Sequence, residues 1–259
     1  MSKVRVISIT NQKGGVGKTT TAINLSAWLA NKGKKVLAID ADQQGNTTSG
    51  IGLDKNDIES TIYDVMLEEC SLSDVKLSTC VKGLEVVPAN INLTGAEIEL
   101  IGKEGREYIL KKEIDNIKEQ YDFIIIDCPP SLNIITVNAL TASDTVLVPI
   151  QCEYFALEGL QQLIYTIDLV QKSLNKYLKL EGIVFTMYDA RTNLSPEVVE
   201  AVKDIVRELK IEVDYYAIIP RNVRLGEAPS HGLPIHLYDP KSKGSESYEL
   251  LAQQVLERE

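Results

Sequence analysis

Residues 13–20 read KGGVGKTT and lie between an apolar run that predicts a strand, Val4–Thr10, and a segment that predicts a helix, Thr19–Asn31. Glycines let backbone N–H groups curl around phosphate oxygens, and the N-terminus of the following helix adds positive potential. The usual phosphate-loop pattern is G-x-x-x-x-G-K-[ST]. Here Gln12 stands at its first glycine position, and the closing Gly-Lys-Thr is intact. The stretch therefore predicts a triphosphate-binding loop that departs from the usual one.

The residue types in this loop predict different roles for its individual residues in binding a nucleotide. Lys18 is expected to reach the β- and γ-phosphates as a catalytic group, and the Thr19 hydroxyl is expected to bind Mg²⁺. The other residues expected to line the nucleotide are Gly14, Gly15, Val16, Gly17 and Thr20.

Outward from the loop, short runs rich in Val and Ile alternate with helical patterns. Strands buried on both faces have this composition, and repeated strand–helix–strand units form doubly wound sheets. Further strands are predicted at 36–39, 84–87, 123–126, 145–148, 182–187 and 216–219. Further helices are predicted at 107–119, 155–174, 196–209, with Ser195 as its cap, and 245–257. We predict an α/β fold in which helices cover both faces of a mostly parallel sheet, with residues 1–259 in a single domain.

The composition excludes several classes of protein. The 259 residues are 44% hydrophobic and 25% charged, which excludes a disordered, collagen-like or disulfide-scaffold chain. The net charge of −10 argues against a globally basic nucleic-acid binder. None of the four cysteines forms a C-x-x-C pair, which favours reduced thiols in the cytoplasm. No run of 18 apolar residues is present, so we expect no membrane span.

Charge is unevenly distributed along the chain. Residues 54–119 carry 15 acidic and 8 basic side chains, whereas residues 220–244 carry four basic and two acidic ones. This distribution leaves room for a local basic face near the C-terminus in spite of the acidic total.

Carboxylates follow two of the predicted strands. Asp40 and Asp42 come directly after the strand at 36–39, and Asp127 ends the strand that begins at Phe123. The carboxyl ends of strands in an open α/β sheet face the crevice where ligands bind. Asp127 is expected to hold Mg²⁺ through water, because Mg²⁺ keeps several waters.

Together, these segments resemble the MinD/ParA class of ATPases, whose Walker A loop has a deviant form. The resemblance implies that Lys13 is the extra lysine that contacts nucleotide phosphates across a dimer interface and acts in catalysis. It further implies that Asp42 positions the attacking water and that Asp40 supports the metal shell. The family usually has proline at the position of Gln43.

Two distal segments, 187–194 and 219–232, are similar to those of Soj-type ParA chromosome-partition ATPases, so the resemblance covers nearly the whole chain. It implies an adenine pocket formed by Met187, Pro220, Arg221 and Asn222. The residues expected to face DNA are Arg191, Arg221, Arg224, Lys241 and Lys243.

The implied activity is slow ATP hydrolysis by a homodimer that holds two ATP molecules and Mg²⁺ at its interface. Such a dimer is expected to bind double-stranded DNA without sequence preference and to work with a ParB/Spo0J-type protein in the cytoplasm, associated with the nucleoid. Because the chain begins just before its first strand, we expect no additional N-terminal DNA-reading domain.

The main alternative is a MinD-like ATPase that positions cell division at the membrane. That class ends in a basic amphipathic helix, whereas residues 244–259 carry four Glu and one Arg. An iron–sulfur carrier, a targeting ATPase for tail-anchored proteins and a small-molecule kinase or amide-forming enzyme share the fold class. This sequence lacks the cysteine spacing that the first two of these classes need.

Overall fold

The computed structural model, which describes residues 4–154 and 156–258, contains an eight-stranded sheet. Its strands are β1 (Arg5–Ile9), β2 (Val36–Asp40), β3 (Leu77–Ser78), β4 (Leu84–Val87), β5 (Phe123–Asp127), β6 (Thr145–Gln151), β7 (Lys179–Tyr188) and β8 (Tyr215–Pro220). They lie in the order β3-β4-β2-β5-β1-β6-β7-β8, and only β3 and β4 pair antiparallel. The predicted mostly parallel, doubly wound sheet is confirmed.

The helices within the described residues cover both faces of this sheet. They are α1 (Lys18–Asn31), α2 (Asn46–Gly50), α3 (Ile62–Met66), α4 (Leu72–Val75), α5 (Leu93–Glu99), α6 (Ile109–Ile117), α7 (Ile134–Ala142), α8 (Ala156–Ser173), α9 (Leu194–Glu208), α10 (Val223–Glu227), α11 (Ile235–Tyr238) and α12 (Lys243–Leu256). None of them is long and apolar enough to cross a bilayer.

Alternation along the strands divides the core between the two faces. In β2, Val36 and Ala38 join the cluster under α1 and α12, whereas Leu37 and Ile39 join the cluster under α3 to α7. A third cluster lies between β6, β7, α8 and α9. Every residue of β2 is buried, as expected for a parallel strand covered on both sides.

Some predicted boundaries are corrected by the structure. The helix predicted at 107–119 covers only Ile109–Ile117, with a 3₁₀ turn at each end. The helix predicted at 155–174 is found over Ala156–Ser173, and Phe155 lies outside the described residues. Ser195 is not the cap of α9; Asn193 stands at the N-cap, and the buried Ser195 Oγ accepts a hydrogen bond from the backbone of Asp189.

Candidate nucleotide site

The loop between β1 and α1 depends on glycine geometry. Gly15 and Gly17 have φ values of 74° and 90°, in the left-handed region that glycine enters without strain. Gly17 is the N-cap of α1 and accepts the first helical hydrogen bond, from Thr21 N at 2.9 Å. The loop therefore ends at a helix N-terminus, where backbone N–H groups without helical partners favour anions.

Lys18 lies folded over this loop. Its side chain is almost fully buried, and Nζ donates to the backbone carbonyl of Lys13 at 3.0 Å. Burial lowers the pKa of Lys18, and the charges of Asp127 and Asp42 oppose that shift. A buried ammonium group held by one neutral carbonyl can exchange that carbonyl for a phosphate oxygen.

Asp127 has the arrangement expected of a group that supports Mg²⁺. Its Oδ2 accepts hydrogen bonds from the hydroxyls of Thr19 and Thr47, each at 2.8 Å. Its Oδ1 is buried and has no protein partner. Burial, then repulsion from Asp40, raises the pKa of Asp127 above its usual range. A divalent cation beside the carboxylate would favour its ionised form and lower this pKa, so the residues present fit Mg²⁺.

Asp40 and Asp42 lie near Asp127 at the carboxyl ends of the strands, and they differ in the hydrogen bonds that their oxygens accept. Asp40 pairs with Asp127 across the β2–β5 ladder. Its Oδ2 accepts from the backbone N and the hydroxyl of Thr48 at 2.8 and 2.7 Å, and Oδ1 accepts from Asp42 N at 3.3 Å. Asp40 therefore holds α2, the helix that presents Thr47 to Asp127.

Asp42 accepts fewer hydrogen bonds than Asp40 does. Its Oδ1 accepts from Gln44 N at 3.0 Å, and 7% of the residue surface remains exposed. A carboxylate at the edge of the crevice with an oxygen to spare can orient a water molecule.

The four residues predicted for the adenine pocket line one cavity. It has a volume of about 480 Å³ and adjoins the phosphate loop at Gly17. Its walls include Met187, Pro220, Arg221 and Asn222. Met187 has a φ of 51°, unusual for a residue with a side chain, and the following Tyr188 carbonyl accepts Arg221 N at 2.9 Å. The ends of β7 and β8 thus close around a space beside the loop.

Thr186 connects this cavity to the phosphate loop, which the sequence did not indicate. It is buried, and its hydroxyl donates to the carbonyl of Val16 at 2.8 Å. A Cβ at Gly17 would lie 3.3 Å from Thr186 Cγ2, so the two chain segments are in close contact. Thr186 therefore braces the loop from β7.

We expect Thr186→Val to weaken nucleotide binding without unfolding the protein. Valine has nearly the same shape but leaves the buried Val16 carbonyl without a donor, at a cost of about 1–3 kcal/mol, or roughly 5- to 150-fold in ATP affinity if the loop shifts. Titration with a fluorescent ATP analogue measures this effect. Thr141→Val, which alters a buried threonine of α7 whose hydroxyl donates within its own helix to the Val137 carbonyl, is the control. Unchanged affinity in Thr186→Val would contradict the bracing role.

Lys13 extends to the other side of the loop. Its Nζ forms an ion pair with Glu153 Oε2 at 2.8 Å, and about a third of its side chain is exposed. Lys13 also lines an open cavity of about 430 Å³ with residues of the loop after β5, Pro130, Ser131 and Leu132. The partly exposed side chain of Lys13 is thus paired with Glu153 beside this open cavity.

The five cations predicted to face DNA are not equivalent in the structure. Three of them form ion pairs with carboxylates. These pairs are Arg191 with Asp189, Arg224 with Glu227 and Asp239, and Lys243 with Glu246. Arg221 lines the cavity at the ends of β7 and β8 instead. Arg191 binds Asp189 through two nitrogens, at 2.8 and 2.7 Å, and holds the pKa of that carboxyl well below its usual range.

Comparison with known proteins identifies the family. Residues 4–180 match a family model described as an AAA domain. The chain is 56% identical over 251 residues to the sporulation initiation inhibitor protein Soj of Bacillus subtilis, covering 97% of this chain and 98% of that one. It is 51% identical over 255 residues to the chromosome partitioning protein ParA of Myxococcus xanthus, covering 98% and 89%.

Among solved structures, the fold matches a protein from Mycobacterium smegmatis described as cobyrinic acid a,c-diamide synthase with bound ATP analogue and magnesium. The TM-score is 0.86 and the identity 38%, over 98% of this chain and 95% of that one. That structure supports nucleotide and Mg²⁺ binding in this fold. By these relatives and by the matching family model, the chain belongs to the Soj/ParA family of chromosome-partitioning ATPases.

Proposed function

We propose that this protein is an ATP-driven switch for DNA binding that acts in chromosome or plasmid partition. The observation that carries the proposal is the convergence of Lys18, the Thr19–Asp127 pair and a base-sized cavity in one crevice. In the proposed site, backbone N–H groups of residues 14–20 and Lys18 bind the phosphates, and the end of β8 borders the base. Asp42 orients the attacking water.

Magnesium has a defined place in this proposal. Thr19 and Asp127 would hold it, Asp127 acting through its free Oδ1 or through bound water. When bound, Mg²⁺ supplies charge neutralisation at the β- and γ-phosphate oxygens. Thr47 and Asp40 keep the Asp127 carboxylate oriented for that task.

Dimerisation is proposed to couple ATP to DNA. Lys13 leaves Glu153 and contacts phosphate in a second protomer, which makes ATP part of a two-fold interface. Two aligned cationic surfaces then bind DNA far better than one, through effective concentration. Hydrolysis, which a ParB-type partner stimulates, separates the protomers. The dimer would thus associate with nucleoid DNA in the cytoplasm. Each protomer of that dimer would consist of a single ATPase domain.

The relatives favour this function over membrane positioning of cell division. The α12 helix also argues against a role in membrane positioning. Tyr248, Leu251 and Val255 are buried in the core, and Glu246 and Glu249 are on its polar side. An amphipathic membrane helix needs an accessible apolar side and a cationic polar side.

Binding to random-sequence duplex DNA tests the proposal. With ATP and Mg²⁺ we expect binding that weakens steeply with salt, and with ADP or without nucleotide we expect little. Arg191→Ala should reduce the slope of log K against log salt by about 1.8, since each lost phosphate contact contributes about 0.9 and a dimer loses two. Lys118→Ala, in the 3₁₀ turn that follows α6, is the control. No binding by an ATP dimer would contradict the DNA function.

A further inference from the structure

One buried tyrosine connects α12 to the helix of the phosphate loop. Tyr248 on α12 is 1% exposed, and its hydroxyl oxygen lies 3.1 Å from Oγ1 of Thr21 on α1. Thr21 is itself fully buried. Burial raises the pKa of Tyr248, so its hydroxyl keeps the proton, and either oxygen of the pair can donate to the other. The two side chains therefore form a hydrogen bond that is shielded from water.

Thr21 lies where the phosphate loop passes into α1. Its backbone N–H donates the first helical hydrogen bond, to the carbonyl of Gly17 at 2.9 Å. Lys18 and Thr19, the groups expected to bind phosphate and Mg²⁺, belong to the same turn. Because a helical turn forms cooperatively, a displacement of Thr21 would also move the backbone that carries these two groups.

Tyr248 also lines the cavity at the ends of β7 and β8 (the β7–β8 cavity), which adjoins Gly17. Leu225 of α10 lines the same cavity, and a Cβ at Gly244 of α12 would lie 2.7 Å from Leu225 Cγ. The first turn of α12 therefore packs directly on α10. Close packing of this kind holds Tyr248 in place at the cavity wall.

A second contact joins α1 to the segments that follow β8, one turn further along α1. The side chain of Asn24 donates to the carbonyl of Thr20 at 2.8 Å, and its Oδ1 accepts the backbone N–H of Ile235 on α11 at 2.7 Å. The walls of the β7–β8 cavity include neither Asn24 nor Ile235. Of the two contacts, the one through Tyr248 is therefore the one that a bound nucleoside could reach directly.

We propose that Tyr248 is a positioning residue that couples occupancy of the β7–β8 cavity to the phosphate loop. A nucleoside in the cavity contacts Tyr248, and the hydrogen bond with Thr21 passes that restraint to the first turn of α1. The nucleoside and phosphate portions of one nucleotide then favour each other's binding. The inference rests on the nucleotide site proposed above, assigns a role in it to α12, and is independent of DNA binding.

Binding of ADP and of pyrophosphate, each with Mg²⁺ and measured by calorimetry, tests this coupling. In Tyr248→Phe and in Thr21→Val we expect ADP affinity to fall about three- to tenfold, the usual contribution of one neutral hydrogen bond. Pyrophosphate lacks the nucleoside, so its affinity should stay within about twofold. The double variant should lose no more than either single variant, because both remove one shared interaction. Thr21→Ser, which keeps the hydroxyl, should bind ADP as the original protein does.

Asn24→Ser is the matched control, because it removes the link between α1 and α11 and leaves the cavity wall intact. We expect it to lower the melting temperature and to leave the ratio of ADP to pyrophosphate affinity unchanged. If Tyr248→Phe melts below the assay temperature, Thr21→Val and Thr21→Ser make the same comparison.

Three results would overturn the coupling role of Tyr248. They are equal losses for ADP and pyrophosphate in Tyr248→Phe, which a merely structural role produces, unchanged ADP affinity in that variant, and additive losses in the double variant. Absence of ADP binding to the original protein would instead overturn the proposed nucleotide site together with this inference. The failure of the coupling and the failure of the site are thus distinguishable.

Discussion

Asp127→Asn is expected to lower Mg²⁺-dependent ATP hydrolysis by about 100-fold or more, since a metal contact contributes several kcal/mol and each 1.36 kcal/mol is tenfold. Its stability without nucleotide should be unchanged or higher. Asparagine can still accept the hydroxyls of Thr19 and Thr47, and it removes a buried charge that faces Asp40. The two effects therefore have opposite signs, which a general folding defect could not produce.

Steady-state phosphate release across a Mg²⁺ series and thermal melts without nucleotide measure the two effects. Asp115→Asn, an exposed carboxylate on α6 paired with Lys118, is the matched control. Hydrolysis within about threefold of the original protein, roughly 0.7 kcal/mol, would place Asp127 outside the magnesium site. A large drop in melting temperature would show that the carboxylate is structural.

Lys13→Ala is expected to abolish ATP-driven dimerisation and DNA binding while leaving monomeric ATP binding within a few-fold. In the single chain, the Lys13 side chain is paired only with the half-exposed Glu153, so folding loses little. In the proposed dimer, each of two desolvated contacts with phosphate contributes about 2–5 kcal/mol, so dimer affinity should fall at least about 1,000-fold.

Sedimentation velocity with ATP, ADP and no nucleotide measures the dimer, and a fluorescent ATP analogue measures binding to the monomer. Lys18→Ala provides the contrast, because it should lose nucleotide binding itself. Lys35→Ala, an exposed lysine remote from the loop, is the control. If Lys13→Ala still dimerises with ATP, the role across the interface is wrong.

Local sequence determined the features that depend on short-range physics. The apolar runs that became β2 and β5 are unambiguous because a strand buried on both faces must be apolar throughout. The KGGVGKTT loop predicted a phosphate site because glycines let backbone N–H groups curl next to a helix N-terminus, and two of them, Gly15 and Gly17, have positive φ. The location of the strand-end aspartates at the crevice was also predictable, since parallel strands end at one edge of the sheet.

The sequence did not predict the short helices, because their local pattern is too weak. The α2 and α5 helices have too few turns for a 3.6-residue period to emerge from the sequence. The α7 helix buries polar residues, Thr136, Asn138 and Thr141, together with its apolar ones, which removes the amphipathic signal. At α9, the serine before the proline resembled a cap, but tertiary contacts bury it and the helix begins earlier.

Only the tertiary structure decided which distant groups meet at the site. Thr47 reaches Asp127 across 80 positions, Glu153 reaches Lys13 across 140, and Thr186 reaches the loop across 170. No local pattern encodes such contacts, because they arise from strand order and from packing of helices on the sheet. The sequence by itself specified the phosphate loop and the acidic strand ends, and the fold selected the partners that hold them.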